Sequence, residues 1–432
     1  MILHYGKTNR IAVFSYDTIF DVLNKALGKW NIDRENDVKK IKCVRVASVP
    51  YAFVHIEATI HYLIKNDYEV ILVSSWDPYI DDYLKKFPKD SLQFHEIKID
   101  REISPISDLI SLFRLFIYLL KTKPDIVHSS TPKAAIVTAV AAFFARVPIR
   151  IHTFTGQRWA TLTGKMRRFL IFLDWLIIKL NSANLADSPS QVEFLKEHGL
   201  APVGCILKGS FGGVDLMRFS PERRKSNYFE IRQKLNIEPN ARVAIFLGRL
   251  NRDKGIDNLI ECFLKISEDS RPWYILLVGP YENITNPIQP QNEKILFSHP
   301  RIKFVGMQFD PVPYIAASDF MILPSFREGF GTSVIEASGL ELPTIGRRIP
   351  GLIDSIIHNE TGFLFDTPEQ FVQQMELLFT SSSRCQILGQ QARSRALKYF
   401  GCEVLAKEQH HFYCNMLASV NSFQIESSVE KS

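Results

Sequence analysis

Paired cysteines are the first thing missing from this chain. Its six cysteines (Cys43, Cys205, Cys262, Cys385, Cys402 and Cys414) are scattered, and no C-x-x-C pair occurs. That excludes a disulfide framework and reads as free thiols in a reducing compartment. Long apolar runs are missing too. None reaches the roughly 18 residues of a membrane-spanning helix, so no span is expected. The N-terminus lacks a basic region followed by an apolar stretch and a small-residue cleavage site, so no signal peptide is expected. Neither sign of charge dominates. The 52 basic residues exceed the 46 acidic ones by a net charge of +6. That is too mild for a nucleic-acid binder and suits an anionic surface or ligand. What is present is ample core material: 432 residues, 46% hydrophobic and 23% charged, enough for two or three domains.

The most informative stretch is MILPSFREGFGTSVIEASGLELPTIGRRIPG, residues 321–351. Met321–Pro324 is long enough for a buried strand. Arg327, Glu328, Gly329, Phe330 and Gly331 form a glycine-flanked turn. Ser333 stands three residues before Glu336, the spacing of a capping box, so a helix is expected over Ser333–Gly339. A strand, a glycine turn and a helix N-terminus make a site for an anion such as a diphosphate. Two readings of the carboxylates stay open. Glu336 is a capping residue and Glu328 a solvated turn residue, or both hold uncharged groups such as sugar hydroxyls.

Upstream, the chain alternates strand and helix patterns. Cys43–Val49, Glu69–Ser75, Phe94–Ile99, Asp125–Ser129, Arg150–Thr153 and Leu185–Ser188 read as strands. His55–Lys65, Leu109–Leu120, Ala134–Ala145, Lys165–Leu180 and Gln191–Glu197 read as helices. That rhythm predicts a parallel doubly wound sheet. It repeats after Leu207–Asp215, with strands at Val243–Gly248, Ile275–Gly279 and Ile302–Gly306. Residues 1–41 hold a strand-like run, Ile11–Ser15, and a charged patch, with no assignable role. The helices over 109–123 and 165–180 are apolar with basic ends, which fits either burial or contact with a bilayer surface. The mostly polar tail from Ser422 is expected to be disordered.

Four segments in order, TPKAA (131–135), GVD (213–215), GRLNRDKG (248–255) and EGFGTSVIEA (328–337), resemble those of retaining glycosyltransferases of the family-4 type with a GT-B fold. The segments HSSTPKA and RIHTFTG look like those of the bacterial capsule and O-antigen members. The resemblance implies an α/β protein of two Rossmann-like domains facing a cleft. The acceptor would bind in residues 42–213, joined by a crossover helix near 400–422, and the nucleotide sugar in 214–399.

Residue by residue, the resemblance implies that Glu328 faces the donor sugar and Glu336 the ribose. Arg249 and Lys254 neutralise the diphosphate with Gly248, Gly329, Phe330, Gly331 and the helix start at Thr332 and Ser333. The backbone at Gly306 reads the base. Related enzymes carry a histidine before the glycine at 156. That position is Thr155 here, so the role stays with Thr155 or passes to His152. His128, Thr131 and Lys133 are the acceptor-side candidates. The usual Gly-Gly pair after the first strand is replaced by Pro50–Val54.

No D-x-D pair occurs, so no metal and no cofactor are expected. The implied reaction moves a hexose or N-acetylhexosamine from a nucleotide sugar, chiefly a UDP-sugar, to a polyprenyl-diphosphate-linked oligosaccharide. It would take place in the cytoplasm at the inner membrane face, without nucleic acid. The alternatives are a catalytically silent sugar-binding or scaffolding relative and a nucleotide-sugar 2-epimerase.

Overall fold

The structure is a computed structural model and describes residues 40–100, 104–266, 271–284 and 286–429. The N-terminal extension up to residue 39, with its Ile11–Ser15 run, lies outside the described residues. Among the described residues, strands form two wholly parallel sheets. The first contains β1 (Ile41–Val46), β2 (Tyr68–Ser74), β3 (Leu92–Glu96), β4 (Ile126–Ser129), β5 (Ile149–Phe154), β6 (Ala183–Ala186) and β7 (Gly204–Cys205). Their order is β3-β2-β1-β4-β5-β6-β7. The second contains β8 (Arg242–Leu247), β9 (Trp273–Val278), β10 (Ile302–Phe304), β11 (Phe320–Leu323), β12 (Thr344–Arg347) and β13 (Gly362–Phe365). Their order is β10-β9-β8-β11-β12-β13.

Helices cover both faces of each sheet, so central strands such as Trp273–Val278 are buried on both sides. This explains why they read as unbroken apolar runs and not as alternating ones. Strand order reverses between β1 and β4 and again between β8 and β11. Ligands of open parallel sheets bind outside the strand carboxyl ends at such reversals. The TPKAA, GRLNRDKG and EGFGTSVIEA segments lie at those ends.

Several local expectations are corrected. Pro50–Val54 is not a plain loop but part of a 3-10 turn, Pro50–Ile56. The helix after β11 begins at Thr332, one residue early, with Gly331 at φ +78° as its N-cap and no side-chain cap. Ser333 therefore sits inside the first turn and the capping box with Glu336 does not form. The chain past Ser422 continues as helix to Val429 instead of a disordered tail. Helices Pro221–Lys234 and Pro290–Ser298 were not read from the sequence.

The last helix, Cys402–Val429, returns to the first sheet and packs beside Glu57–Lys65. Its Tyr413 is buried among β1 and β4 residues. Arg45 Nη1 donates to the Tyr413 hydroxyl oxygen at 2.5 Å and to His128 Nδ1 at 3.1 Å. Tyr413 in turn donates to His128 Nδ1 at 2.6 Å. With Nδ1 accepting, Nε2 carries the proton and donates to Thr153 Oγ1 at 2.8 Å. Arg45 is 1% exposed and forms no ion pair among the described residues, so this network and the Phe211 ring face stabilise its charge. Tyr413→Phe should leave Arg45 and His128 short of a partner. Chemical denaturation is expected to show a loss of about 1–3 kcal/mol.

Candidate active site

The cleft between the two sheets holds a cavity of about 1140 Å³. Thr131, Lys133 and Thr155 line it from the first half, and Arg249, Asn251 and Glu282 from the second. The loop after β8 is shaped by Asn251, whose Oδ1 accepts from the Lys254 N–H at 3.0 Å. Gly255 follows at φ +73°, where a Cβ would fall 2.3 Å from the Pro324 carbonyl oxygen. Only glycine lets this loop pack against the end of β11.

Every cation in this loop and in the loop after β11 meets a carboxylate, Arg252 Nε lying 3.7 Å from Asp257 Oδ2. Lys254 Nζ lies 2.5 Å from Glu328 Oε1. Arg249 Nη1 is 2.8 Å from Glu282 Oε2, which also accepts from Asn251 Nδ2 at 2.7 Å. Arg327 Nε is 2.9 Å from Asp253 Oδ2. The cluster is thus a ring of paired charges beside the uncapped helix start at Thr332. A phosphate can replace a carboxylate in such a ring without leaving a cation desolvated and alone. Glu336, on that helix, has its carboxyl pushed up to about 7 by burial, against the pull of Arg218.

The two halves touch closely around Gly329. A Cβ there would lie 2.7 Å from the Thr155 carbonyl oxygen and 2.8 Å from Asp187 Oδ2. Gly156 at φ +102° and Gly351 at φ +89° face the same segment. Polar clasps complete the contact. Gln191 Nε2 donates to the Glu328 carbonyl oxygen at 2.7 Å. Ser190 N donates to Asp354 Oδ2 at 2.9 Å, and Gly351 N donates to Ser190 Oγ at 2.7 Å. Ser188 caps the helix carrying Ser190 and Gln191, its side chain accepting from the Gln191 N–H.

The sequence-derived candidates divide. Glu328, Lys254, Arg249, Thr332 and Thr155 gather at the cleft, and Glu336 lies on the same helix as Thr332. Thr131 lines the cavity while its Oγ1 accepts from Ser48 N at 2.9 Å. Lys133 also lines it, 2.7 Å from Asp108. Gly248 (φ +155°) and Gly306 (φ +71°) are close, since Gly279 N–H donates to the Gly306 oxygen and a Cβ at Gly279 would meet the Gly248 oxygen. Gly331 supplies the N-cap and Ser333 the first turn.

Three side chains do not face the cleft. His128 is wholly buried in the Arg45–Tyr413 network, and burial with the Arg45 charge holds it well below its ordinary pKa. His152 is buried on β5, with Nδ1 against Ser129 Oγ at 2.9 Å, and burial lowers it to about 3. Phe330 is buried against Phe400, which leaves only its backbone for a ligand. Sequence reasoning missed Glu282, Asp253 and Asp187. An acid directly after a strand, as at Asp187, was the available signal.

Residues 52–207 match the family described as Glycosyltransferase Family 4, and residues 227–395 match Glycosyl transferases group 1. A capsular polysaccharide biosynthesis glycosyltransferase from Staphylococcus aureus is 28% identical over 386 residues, 88% of this chain and 98% of its own. An Escherichia coli UDP-Gal:alpha-D-GlcNAc-diphosphoundecaprenol alpha-1,3-galactosyltransferase is 28% identical over 67% of this chain and 72% of its own. The Anabaena HepE structure with UDP and glucose superposes with a TM-score of 0.69 at 17% identity, covering 87% of this chain and 100% of that one. The fold is GT-B.

Gly329→Ala is expected to force the two halves apart at Thr155. Turnover should fall about a hundredfold, as misplacement by an ångström does, and small-angle scattering should show a more open particle. A variant with full turnover and unchanged scattering would refute the close-contact argument.

Proposed function

We propose that this chain, which belongs to the group 1 and family 4 glycosyltransferases, moves a hexose or N-acetylhexosamine from a UDP-sugar to a polyprenyl-diphosphate-linked saccharide. The context is capsule, O-antigen or exopolysaccharide assembly. The observation that carries the reading is the Lys254–Glu328 pair beside the uncapped start of helix Thr332–Gly339. The names of the Staphylococcus and Escherichia relatives support the pathway and the lipid-linked acceptor.

In this reading the donor diphosphate takes the place of Glu282 on Arg249 and meets the N–H groups at Thr332 and Ser333. Lys254 holds it from the other side. These groups stabilise the negative charge that grows as the sugar–phosphate bond breaks. Glu328, released from Lys254, orients the donor sugar through its hydroxyls, and Glu336 holds the ribose. The departing phosphate oxygen takes the acceptor hydroxyl proton on the same face, so configuration is retained.

The first half supports a peripheral membrane contact. No helix among the described residues is long and apolar enough to cross a membrane. Helix Pro105–Thr122 nevertheless exposes Ile106, Leu109 and Phe113, and helix Gly164–Leu180 exposes Met166, Phe169 and Phe172. Both pack on helix Pro132–Phe144, so they cover one side of the sheet together. Lys165 and Arg168 are exposed beside them. Apolar rings with flanking cations suit an anionic bilayer surface, here the cytoplasmic face.

Incubation with UDP-, GDP- and dTDP-sugars, with and without EDTA, tests the donor reading through released nucleoside diphosphate. Lys254→Ala and Arg249→Ala should each lower release about 100- to 1000-fold. Donor binding without release, even with lipid-linked acceptors, would favour a silent relative. Donor KM should rise as pH falls through about 7, because Glu336 protonates there and loses an acceptor for ribose. In vesicle sedimentation, Phe113→Ser with Phe169→Ser should release the protein from anionic liposomes. Equal binding to neutral and anionic liposomes would count against the surface reading.

A further inference from the structure

A second cavity, of about 330 Å³, opens beside the main cleft. Tyr51, His55, Thr131, Thr155 and Asp187 line it from the first half, and Thr332 from the second. No lysine or arginine is among its lining residues. A wall with a carboxylate and no cation repels phosphate and suits a neutral, hydroxyl-rich group. Thr332, at the helix start that faces the donor phosphate in the reading above, sets this group next to the bond that breaks.

Asp187 follows β6 and is rigidly held. Its N–H donates to the Phe154 oxygen and its carbonyl oxygen accepts from Ser210 N–H, each at 2.9 Å. Oδ1 accepts from the Phe211 N–H at 2.7 Å. Oδ2 has no hydrogen-bond partner among the described residues and lies against Gly329. Asp187 is half-buried and lines the cavity, so this oxygen is open to a donor from a bound group.

We propose that Asp187 is an acceptor-binding residue: its free Oδ2 takes a hydrogen bond from a hydroxyl of the acceptor's terminal sugar, seated in this second cavity. The inference rests on the glycosyltransferase reading above. Asp187 orients the acceptor and takes no proton from it. The reacting hydroxyl loses its proton to the departing phosphate oxygen, its oxygen bonds the anomeric carbon, and the sugar–phosphate bond breaks.

The charge state matters. Burial pushes the Asp187 carboxyl up to about 6, with the Phe211 N–H opposing and the Glu328 charge adding. The other titratable groups around it are Cys205 on β7 and, across the cavity, His55 and Tyr51. Burial raises Cys205 to about 12, raises Tyr51, and lowers His55, so all three are neutral at pH 7. Lys254 reaches this region only through its pair with Glu328. As pH falls through about 6, Asp187 protonates and acceptor binding weakens.

The test uses the full chain, a UDP-sugar that it turns over, and farnesyl-diphosphate-linked N-acetylglucosamine as acceptor. Asp187→Asn should raise acceptor KM about tenfold or more, the loss of one charge-assisted hydrogen bond. The ratio of transfer to donor hydrolysis should fall with it. In the wild type, acceptor KM should rise below about pH 6 while donor KM follows the higher midpoint of Glu336. The wild-type profile stands even where the variant folds poorly. Transfer by Asp187→Asn at unchanged acceptor KM, or a wild-type acceptor KM flat from pH 5 to 8, overturns the inference and leaves the glycosyltransferase reading intact. A wild type that releases no nucleoside diphosphate from any nucleotide sugar overturns that reading, and the inference falls with it.

Discussion

The backbone contact between Glu328–Gly329 and Thr155–Gly156 is the constraint on which the rest depends. It brings the loop after β11 within van der Waals reach of the strand ends of the other sheet. Side chains at 156 or 329 would hold the halves apart. Once they close, Gln191 and Ser190 clasp the Glu328 and Gly351 backbone. The loop after β11 is thereby held by both halves at once.

Packing within the second half sets the electrostatics of its loops. Arg249, Lys254 and Arg327 crowd a small region, and each is matched by an acid. Half-buried cations without partners would destabilise the empty cleft. Pairing them keeps the loops ordered. Burial raises the carboxyls of Glu336 and Asp187 to about 7 and about 6. Both shifts come first from desolvation. They make the empty fold bind more protons than the unfolded chain between about pH 4 and 7, so its stability declines as pH rises through that window.

The crossover helix ties the first sheet to the rest of the chain. Tyr413 stands 285 residues from His128 in sequence, yet shares a hydrogen bond with it. An arginine buried without a carboxylate is tolerated because a hydroxyl, a neutral imidazole and an aromatic face surround it. That network makes His128 a structural residue.

The sequence by itself determined the features that are local. Continuous apolar runs, set between helices, specify a parallel sheet covered on both faces. The glycines of GRLNRDKG and EGFGT specify tight turns at strand ends. All of these depend on the chain within a dozen residues. Only the tertiary structure decided which way a doubly buried strand turns its polar residues. When both faces are covered, period-two alternation vanishes, so nothing local separates His128 and His152, which face packed interiors, from Thr155, which faces the cleft. The capping box failed for a related reason: Gly331, held in the left-handed region, starts the helix a residue early and leaves its N-terminus open. Glu282 was beyond local reading because its partner Arg249 stands 33 residues away and meets it only once β8 and β9 pair, and the place of Asp187 against Gly329 exists only where the two halves meet.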